Sequence, residues 1–167
     1  MVEPWLRGTL TEVDAVRRQL LHALELASED VDRWCAGLSD TEINARPFGI
    51  ASVAFHLRHI AGSLDRLLTY AEGNSLSGAQ MDALHNEMDA ASAEIVLDEF
   101  GAGLGESRQR VMMISSRSYE ETRSVGRARL PSTVGGLLVH CAEHTQRHVG
   151  QAVTTAKVVV AMRRQAE

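Results

Sequence analysis

Apolar residues recur at steps of three and four along four long stretches of the chain, and this periodicity restricts the fold more than any other feature. Such steps place side chains on one face of an α-helix. The stretches run from residue 5 to about 36, from 52 to about 72, from about 93 to 117 and from 132 to about 163. Signals for β-strands are absent. The sequence therefore predicts an all-α protein.

The connections between these stretches predict how the helices pack. They are short, apart from residues 74–92, where Met81, Leu84, Met88 and Ala91 predict one further short helix. Residues 118–131 are expected to form an exposed connection. Short connections favour a four-helix bundle with antiparallel or mixed helix directions. A chain of 167 residues fits one domain, so a single domain is predicted over residues 1–167.

Charge and composition exclude several classes of protein. The formal net charge is −5 and no basic stripe is present, which argues against a nucleic-acid partner. No apolar run approaches the roughly 20 residues that a membrane helix needs. The first residues lack the features of a signal peptide, and two cysteines make no disulfide framework. We therefore expect a cytoplasmic protein without a membrane partner.

Three histidines in the last stretch have the spacing of metal ligands. His140, His144 and His148 follow one another at steps of four, and two histidines one helical turn apart can share one divalent ion. On a helical wheel centred on Cys141, His148 lies about 20° from the centre of the apolar stripe, His144 about 60° and His140 about 100°. Two imidazoles are thus predicted to face the core. Hydrogen-bonded core histidines are the alternative interpretation, and spacing alone leaves both open.

The second stretch carries two more histidines, His56 and His59. Measured from Leu57, His56 lies about 100° round the helix and His59 about 160° round. Periodicity therefore places His56 nearer the core. Phe55 and Tyr70 share the side of His59, which predicts a second contact face. This face could be the wall of a site or the interface of a homodimer.

Two motifs together resemble a known family. The stretch Ser52-Val-Ala-Phe-His-Leu-Arg-His-Ile-Ala61, followed by His144-Thr-Gln-Arg-His148-Val-Gly-Gln151, is similar to the paired motif of the DinB/YfiT-like superfamily of metalloenzymes. Length, helix count and motif order agree over nearly the whole chain. The resemblance implies a four-helix bundle that holds one divalent ion, commonly zinc or nickel, on three protein ligands with water at an open position.

The resemblance also implies which residues bind the ion. In the family, the first ligand is the histidine just before an Ile-Ala or Leu-Ala pair, which corresponds to His59, and the other two correspond to His144 and His148. Periodicity favoured His56 instead, so His56 is kept as the alternative ligand. His56 and Gln151 are also expected to be able to hydrogen-bond a ligand imidazole.

Characterised relatives in this family are thiol-dependent enzymes, including a mycothiol-dependent maleylpyruvate isomerase and bacillithiol transferases. Three neutral histidines leave a bound ion its full charge, and such an ion lowers the pKa of bound water or holds a thiol as thiolate. The resemblance thus implies a transferase that uses a low-molecular-weight thiol and a small-molecule substrate, with no catalytic side chain assigned. A metal-dependent hydrolase and a non-catalytic metal-binding or dimerisation module are the alternatives.

Other notable residues have structural interpretations. His22 is predicted to be exposed, Glu143 to be a solvated charge, and Cys141 to be a small buried residue. The third long stretch, from about residue 93 to 117, carries three glycines, Gly101, Gly103 and Gly105. They predict either close helix packing or a break in the helix.

Overall fold

The computed structural model describes residues 2–166 and is mostly helical, which confirms the predicted helical class. The helices are α1 (Ala15–Trp34), α2 (Asp40–Ile43), α3 (Val53–Ala71), α4 (Gly78–His85), α5 (Ala93–Met113) and α6 (Val134–Ala166). Single turns of 3₁₀-helix occur at Pro4–Leu6, Pro47–Gly49 and Ser116–Ser118. None of the described helices has the length and apolar character needed to cross a membrane.

Helix α3 packs along α6 in the opposite direction. The hydroxyl of Thr155 donates to the carbonyl of Ala51, just before α3, at 3.1 Å. Further along α3 and further back along α6, His56 lies beside His148. Contact positions therefore rise along α3 while they fall along α6, and this antiparallel pair is the most extensive helix contact in the described chain.

Two further pairs of long helices, α1 with α6 and α3 with α5, run parallel. Helix α1 also packs against α5, so each long helix touches two others. The contacts that define the parallel pairs are Gln146 to Ala23 and Lys157 to Trp34 for the first pair, and Arg58 to Glu99 and Arg110 to Asp65 for the second. Mixed helix directions are thus observed, as the connection lengths allowed.

One apolar core lies between these four helices. Side chains that are at most 1% exposed come from all of them, because the apolar stripe of each helix faces the others. Prominent members are Leu20, Leu24, Leu57, Ile60, Leu64, Val96, Val111, Leu138 and Cys141. Cys141 is fully buried, as predicted, and burial raises the pKa of its thiol to about 12.

The first helix begins ten residues later than predicted, at Ala15. Gly8 and Leu10 have positive φ angles of 68° and 56°, which interrupt any helix. Asp14 then caps α1, because its carboxylate accepts hydrogen bonds from the first backbone N–H groups of the helix. The prediction of one helix from residue 5 was wrong because the apolar spacing of the segment continued across this turn.

His22 is buried, with 4% of its surface exposed, whereas the sequence predicted exposure. Its Nε2 lies 3.2 Å from the hydroxyl of Thr9. The segment before α1 thus lies against α1 and covers this imidazole, which supplies the polar partner that a buried histidine needs.

A small β-hairpin corrects the prediction that strands are absent. Strand β1 (Thr122–Val125) pairs antiparallel with β2 (Leu130–Thr133), inside the segment predicted to be an exposed connection. Gly126 and Arg129 have positive φ angles of 69° and 51° in the intervening turn. Strands of four residues contain too few alternations to stand out in the sequence.

Serine and threonine are favoured at the residue before a helix, so the sequence predicts Ser52 as the cap of α3 and Ser132 or Thr133 as the cap of α6. Ser52 accepts a hydrogen bond from the N–H of Phe55, and Thr133 accepts one from the N–H of Gly136, which confirms Ser52 and identifies Thr133. Helix α5, however, ends at Met113 rather than at residue 117, and α4 ends at His85 rather than near residue 91.

Gly103 allows α5 to approach α3 closely. A Cβ atom at Gly103 would lie 2.7 Å from Cβ and 3.2 Å from Cα of Ala61. Gly101 and Gly105, in the same helix, have no atom within 4 Å of such a position. The helix is unbroken at all three residues, so close packing is the correct interpretation for Gly103 alone.

We expect Gly103→Ala to lower the free energy of unfolding by about 1–3 kcal/mol, because the added methyl group overpacks the contact with Ala61. The matched variants Gly101→Ala and Gly105→Ala should raise it by up to about 1 kcal/mol, since alanine favours the helix and meets no neighbour. Urea denaturation of the three variants measures this difference. Equal effects of all three substitutions would contradict the close contact at Gly103.

Candidate metal centre

The antiparallel contact of α3 and α6 brings three histidines together. One ring nitrogen from each of His59, His144 and His148 lies within 4.8 Å of the corresponding nitrogens of the other two. The ring centroids are 5.0 Å apart for His59 and His144, and 4.5 Å apart for each of the other two pairs. All three residues are partly buried. The arrangement can hold one metal ion.

Helix α6 supplies two of these histidines at the border of its buried stripe. Thr145 and Val149, the residues that follow them, are at most 1% exposed, whereas His144 and His148 are only partly buried. The helical wheel placed His148 too near the centre of the stripe, because the apolar surface of α6 is shared between α1 and α3. Border positions let both rings reach across to α3 while one edge remains open to solvent.

His140 lies one helical turn before His144, but it is exposed and does not belong to the group. Its Nδ1 lies 2.9 Å from the carboxylate of Glu143, which also pairs with Arg147. Glu143 is thus a surface charge, as predicted. The four-residue spacing thus includes His140, which precedes the cluster by one helical turn and is not part of it.

His59 is oriented by a carboxylate that the sequence did not reveal. The Nδ1 atom of His59 lies 2.7 Å from Oε2 of Glu87, which is 6% exposed. If Nδ1–H donates to this carboxylate, Nε2 carries the lone pair that can bind a metal, and its one hydrogen-bonding neighbour among the described residues is the hydroxyl of Ser63, at 3.5 Å. Glu87 lies between α4 and α5 and is not one of the apolar residues that predicted a helix there, and an isolated glutamate is usually solvated. No signal in the sequence could have identified it.

Arg66 holds the other oxygen of Glu87. Its Nη2 donates to Oε1 of Glu87 at 2.8 Å and to the hydroxyl of Ser63 at 3.2 Å. The guanidinium lies over Gly62, where a Cβ atom would be 2.8 Å from Nη1 of Arg66. Gly62 thus provides the space for the Arg66–Glu87 pair, and this pair fixes the ring of His59.

His56 contacts His148, a second member of the cluster. Its Nδ1 lies 3.1 Å from Nδ1 of His148, and the residue is only 5% exposed. Periodicity was therefore correct that His56 is the more buried histidine of α3, while the resemblance was correct to place His59 in the cluster. If Nδ1–H of His148 donates to His56, Nε2 of His148 carries the lone pair that can bind a metal. Phe55 stacks on His59, with ring centroids 5.3 Å apart at an interplanar angle of 15°.

Gln151 does not take the role predicted for it. Its side chain is exposed and makes no hydrogen bond to any of the histidines among the described residues. The position is one turn beyond His148 on the solvent side of α6. The imidazole of His148 is instead contacted by His56, from α3.

Burial favours the neutral form of His56, His144 and His148. It lowers the pKa values of His56, His144 and His148 from 6.5 to about 4, and the proximity of His59 acts in the same direction. Burial by itself would raise the pKa of Glu87, but the hydrogen bonds from His59 and Arg66 outweigh it, so the net shift of this pKa is downward. Near pH 7, His144 and His148 therefore offer unprotonated nitrogens, and the carboxyl group of Glu87 is ionised.

The donor set matches a borderline-soft divalent cation. Imidazole nitrogens suit zinc, nickel, copper and iron, whereas calcium and magnesium prefer carboxylate and carbonyl oxygens. Glu87 is committed to His59 and Arg66 rather than to the group of three nitrogens. The residues present therefore fit a metal ion of the type expected from the sequence, without selecting one metal.

Comparison with protein families agrees with these features. The sequence-family model described as the DinB superfamily matches residues 12–152. The chain belongs to the DinB superfamily. The matched region contains all three clustered histidines of this DinB-superfamily chain together with Glu87, Arg66 and His56. A search of curated proteins finds no significant match.

We expect His59→Ala, His144→Ala and His148→Ala each to weaken zinc binding by more than about 100-fold. Loss of a residue that merely hydrogen-bonds a ligand already costs about 10- to 100-fold, and a lost ligand costs more. Competition with a chromophoric chelator measures the affinity. His140→Ala is the matched control, since it removes an exposed histidine from the same helix. Equal affinities of all four variants would exclude the site.

We expect the metal-free protein to lose stability as the pH falls from 6.5 to about 4. The folded-state pKa values of the three shifted histidines lie below the unfolded value of about 6.5, so the unfolded chain binds more protons in this window. Each such histidine adds at most about 1.4 kcal/mol per pH unit to the slope of the free energy of unfolding against pH. Urea denaturation at successive pH values tests this.

The variant His56→Gln isolates one contribution to that pH dependence. It removes a titratable group but keeps a hydrogen-bonding side chain beside His148, so its stability should fall less steeply with acidification than that of the wild type. Identical slopes of unfolding free energy against pH for the two proteins would contradict the lowered pKa of His56.

Proposed function

We propose that this protein is a metal-dependent enzyme that transfers a low-molecular-weight thiol to an electrophilic small molecule. The observation that carries the proposal is the convergence of three imidazole donors, His59, His144 and His148, with no fourth histidine, cysteine or carboxylate in the group among the described residues. Structural zinc sites usually have four protein ligands, whereas catalytic sites keep a position open.

The surroundings of the cluster support catalysis over a purely structural ion. The side chain of His59 is 21% exposed, and both histidines of α6 are only partly buried. A small molecule can therefore reach the side of the cluster that faces solvent. The opposite side rests on the packed contact between α3 and α6, so a substrate would approach from one direction.

Two contacts orient the donors in advance. Glu87 fixes the ring of His59 through Nδ1, and His56 does the same for His148. Because these partners hold the rings before anything binds, little ordering is left to occur on binding. A divalent ion held here, zinc or nickel by the family resemblance, would favour the thiolate form of a bound thiol or the hydroxide form of bound water.

Arg66 provides a fixed positive charge near the cluster. It pairs with Glu87, so the two charges balance and the imidazoles face a site of low net charge. A bound cation would therefore keep most of its charge for a thiolate or a polarised substrate. Phe55, stacked on His59, provides an apolar wall beside the same ring.

Hydrolysis of a small ester or amide is the second candidate function, because a three-ligand site with an exposed edge also admits water. A non-catalytic metal-binding module is the third. The packing of the four long helices supports a four-helix bundle of the DinB/YfiT type. The homodimer stays a prediction, and a small-molecule substrate rather than nucleic acid is proposed from the charge of −5.

The proposal predicts thiol-dependent turnover by zinc- or nickel-loaded protein. Cysteine, glutathione, mycothiol and bacillithiol, each with a chromogenic aryl halide, provide the assay. His59→Ala, His144→Ala and His148→Ala should lower the enzymatic rate at least about 100-fold, because loss of the ion removes its electrostatic stabilisation of the thiolate. His140→Ala should retain the rate.

Two outcomes would argue against thiol transfer. Turnover of an ester or amide without added thiol, and with the same dependence on the three histidines, would identify a hydrolase. Tight metal binding without turnover in any of these assays would favour the non-catalytic module.

A further inference from the structure

A concave site lies at the C-terminal end of α3, away from the histidine cluster. It is a cavity of about 680 Å³ between the end of α3, the residues that lead into α4, and the β-hairpin. Tyr70 of α3 lines it, eleven residues after His59, which corresponds to about 16 Å along the helix. No member of the histidine cluster lines this cavity. Its volume is typical of sites for small molecules.

The charge of this cavity is opposite to that of the chain. Arg123, Arg127 and Arg129 line it, and no aspartate or glutamate does, although the chain carries a net charge of −5. Three acidic residues adjoin the lining in sequence: Glu72 pairs with Arg110, Glu121 pairs with Arg123, and Asp82 is exposed to solvent. The cavity therefore concentrates positive charge on an acidic protein, which favours an anionic ligand.

Arg123 is fixed in the wall of the cavity. Its Nε donates to the carbonyl of Ala71 at 2.8 Å and its Nη1 to the carbonyl of Thr122 at 3.0 Å. The third donor, Nη2, contacts Glu121 at 2.9 Å. These bonds tie the hairpin to the end of α3 and consume much of the hydrogen-bonding capacity of Arg123. Its main contribution is to hold the hairpin in place.

Arg127 and Arg129 are in a different situation. Both are exposed, and neither guanidinium has a hydrogen-bonded or acidic partner within residues 2–166. They lie in the turn of the hairpin that Arg123 anchors. Two guanidinium groups two residues apart, each with free donors, can bind neighbouring anionic groups by bidentate contacts.

The backbone of the turn adds an independent observation. Arg129 has a φ angle of 51°, in the left-handed region that asparagine and glycine adopt far more readily than arginine. The turn does not require an arginine there for its conformation. Residues kept in such conformations are concentrated at ligand-binding sites, so the outlier supports a functional role for this side chain.

Neutral donors complete the lining. Tyr70, Ser75 and Ser124 line the cavity, and their hydroxyl groups have no hydrogen-bond partner in the part of the chain that the structure describes. Hydroxyls of this kind add hydrogen bonds to phosphate or carboxylate oxygens beside the charged contacts. The cavity thus combines free charged donors with free neutral donors.

We propose that this cavity binds a small molecule with at least two neighbouring anionic groups, phosphate or carboxylate, with Arg127 and Arg129 as the main contacts. The hairpin, anchored through Arg123, presents both side chains to the ligand. The site is independent of the histidine cluster and of the reaction proposed there.

Calorimetric titration of the full chain with pyrophosphate and with citrate tests this proposal. The protein is first treated with a chelator and dialysed, so that no metal ion can bind the probes. We expect saturable binding of at least one probe, weakened at least tenfold by Arg127→Gln and by Arg129→Asn. The probe that binds more tightly distinguishes a phosphate ligand from a carboxylate ligand.

The control variants separate binding in this cavity from non-specific attraction of anions to surface arginines. Arg117→Gln removes an exposed arginine outside the cavity and should leave binding unchanged. His144→Ala should also bind the probe as the wild type does, so failure of the metal-dependent reaction leaves this test intact. Arg129→Asn should fold at least as stably as the wild type, because asparagine tolerates the positive φ angle.

Three results would overturn the proposal. They are absence of binding of both probes by the wild type, unchanged binding by both hairpin variants, and an equal loss of binding in Arg117→Gln.

Discussion

The antiparallel packing of α3 against α6 is the constraint on which the rest of the structure depends. Leu57, Ile60 and Leu64 of α3 are buried in the same core as Leu138 and Cys141 of α6. Burial of this apolar surface fixes the relative position of the two helices. The histidines lie at the edge of that contact, so the interactions that stabilise the fold also set the distances within the cluster.

A second set of interactions, polar and partly buried, refines this arrangement. Burying the ion pair of Arg66 and Glu87 costs solvation free energy, and such pairs often contribute little net stability. Here the carboxylate also receives His59, and the guanidinium also donates to Ser63. We therefore interpret the pair as a means of orienting one imidazole rather than as a source of stability. Gly62 is part of it, because a larger residue would displace the guanidinium.

The sequence predicted what depends on local periodicity and on a recognisable motif. The four long helices and two of their caps follow from apolar spacing and from Ser52 and Thr133. His59 did not follow from periodicity, because α3 has two contact faces and the wheel assumes one. The paired motif identified it instead. Glu87 was missed because its role depends on a contact with α3 across 28 residues of sequence, which no local pattern records.

The errors at the ends of helices have a related cause. The positive φ angles at Gly8 and Leu10 prevent α1 from beginning before residue 11. Only one of the two residues is a glycine, so the sequence does not mark this interruption clearly. The hairpin strands are four residues long, so turn geometry rather than alternation defines them. Burial of His22 follows from the fold of the segment before α1. These features depend on conformations that apolar spacing does not encode.

The order of the helices along the chain has a consequence for how the cluster is assembled in a cell. Two of its three donors belong to α6, and the third lies 85 residues earlier, in α3. During translation, α3 leaves the ribosome long before α6 is synthesised, and until then His59 has no partner with which to chelate an ion. The complete three-histidine cluster can therefore form only after α6 has packed against α3, when most of the chain has been synthesised.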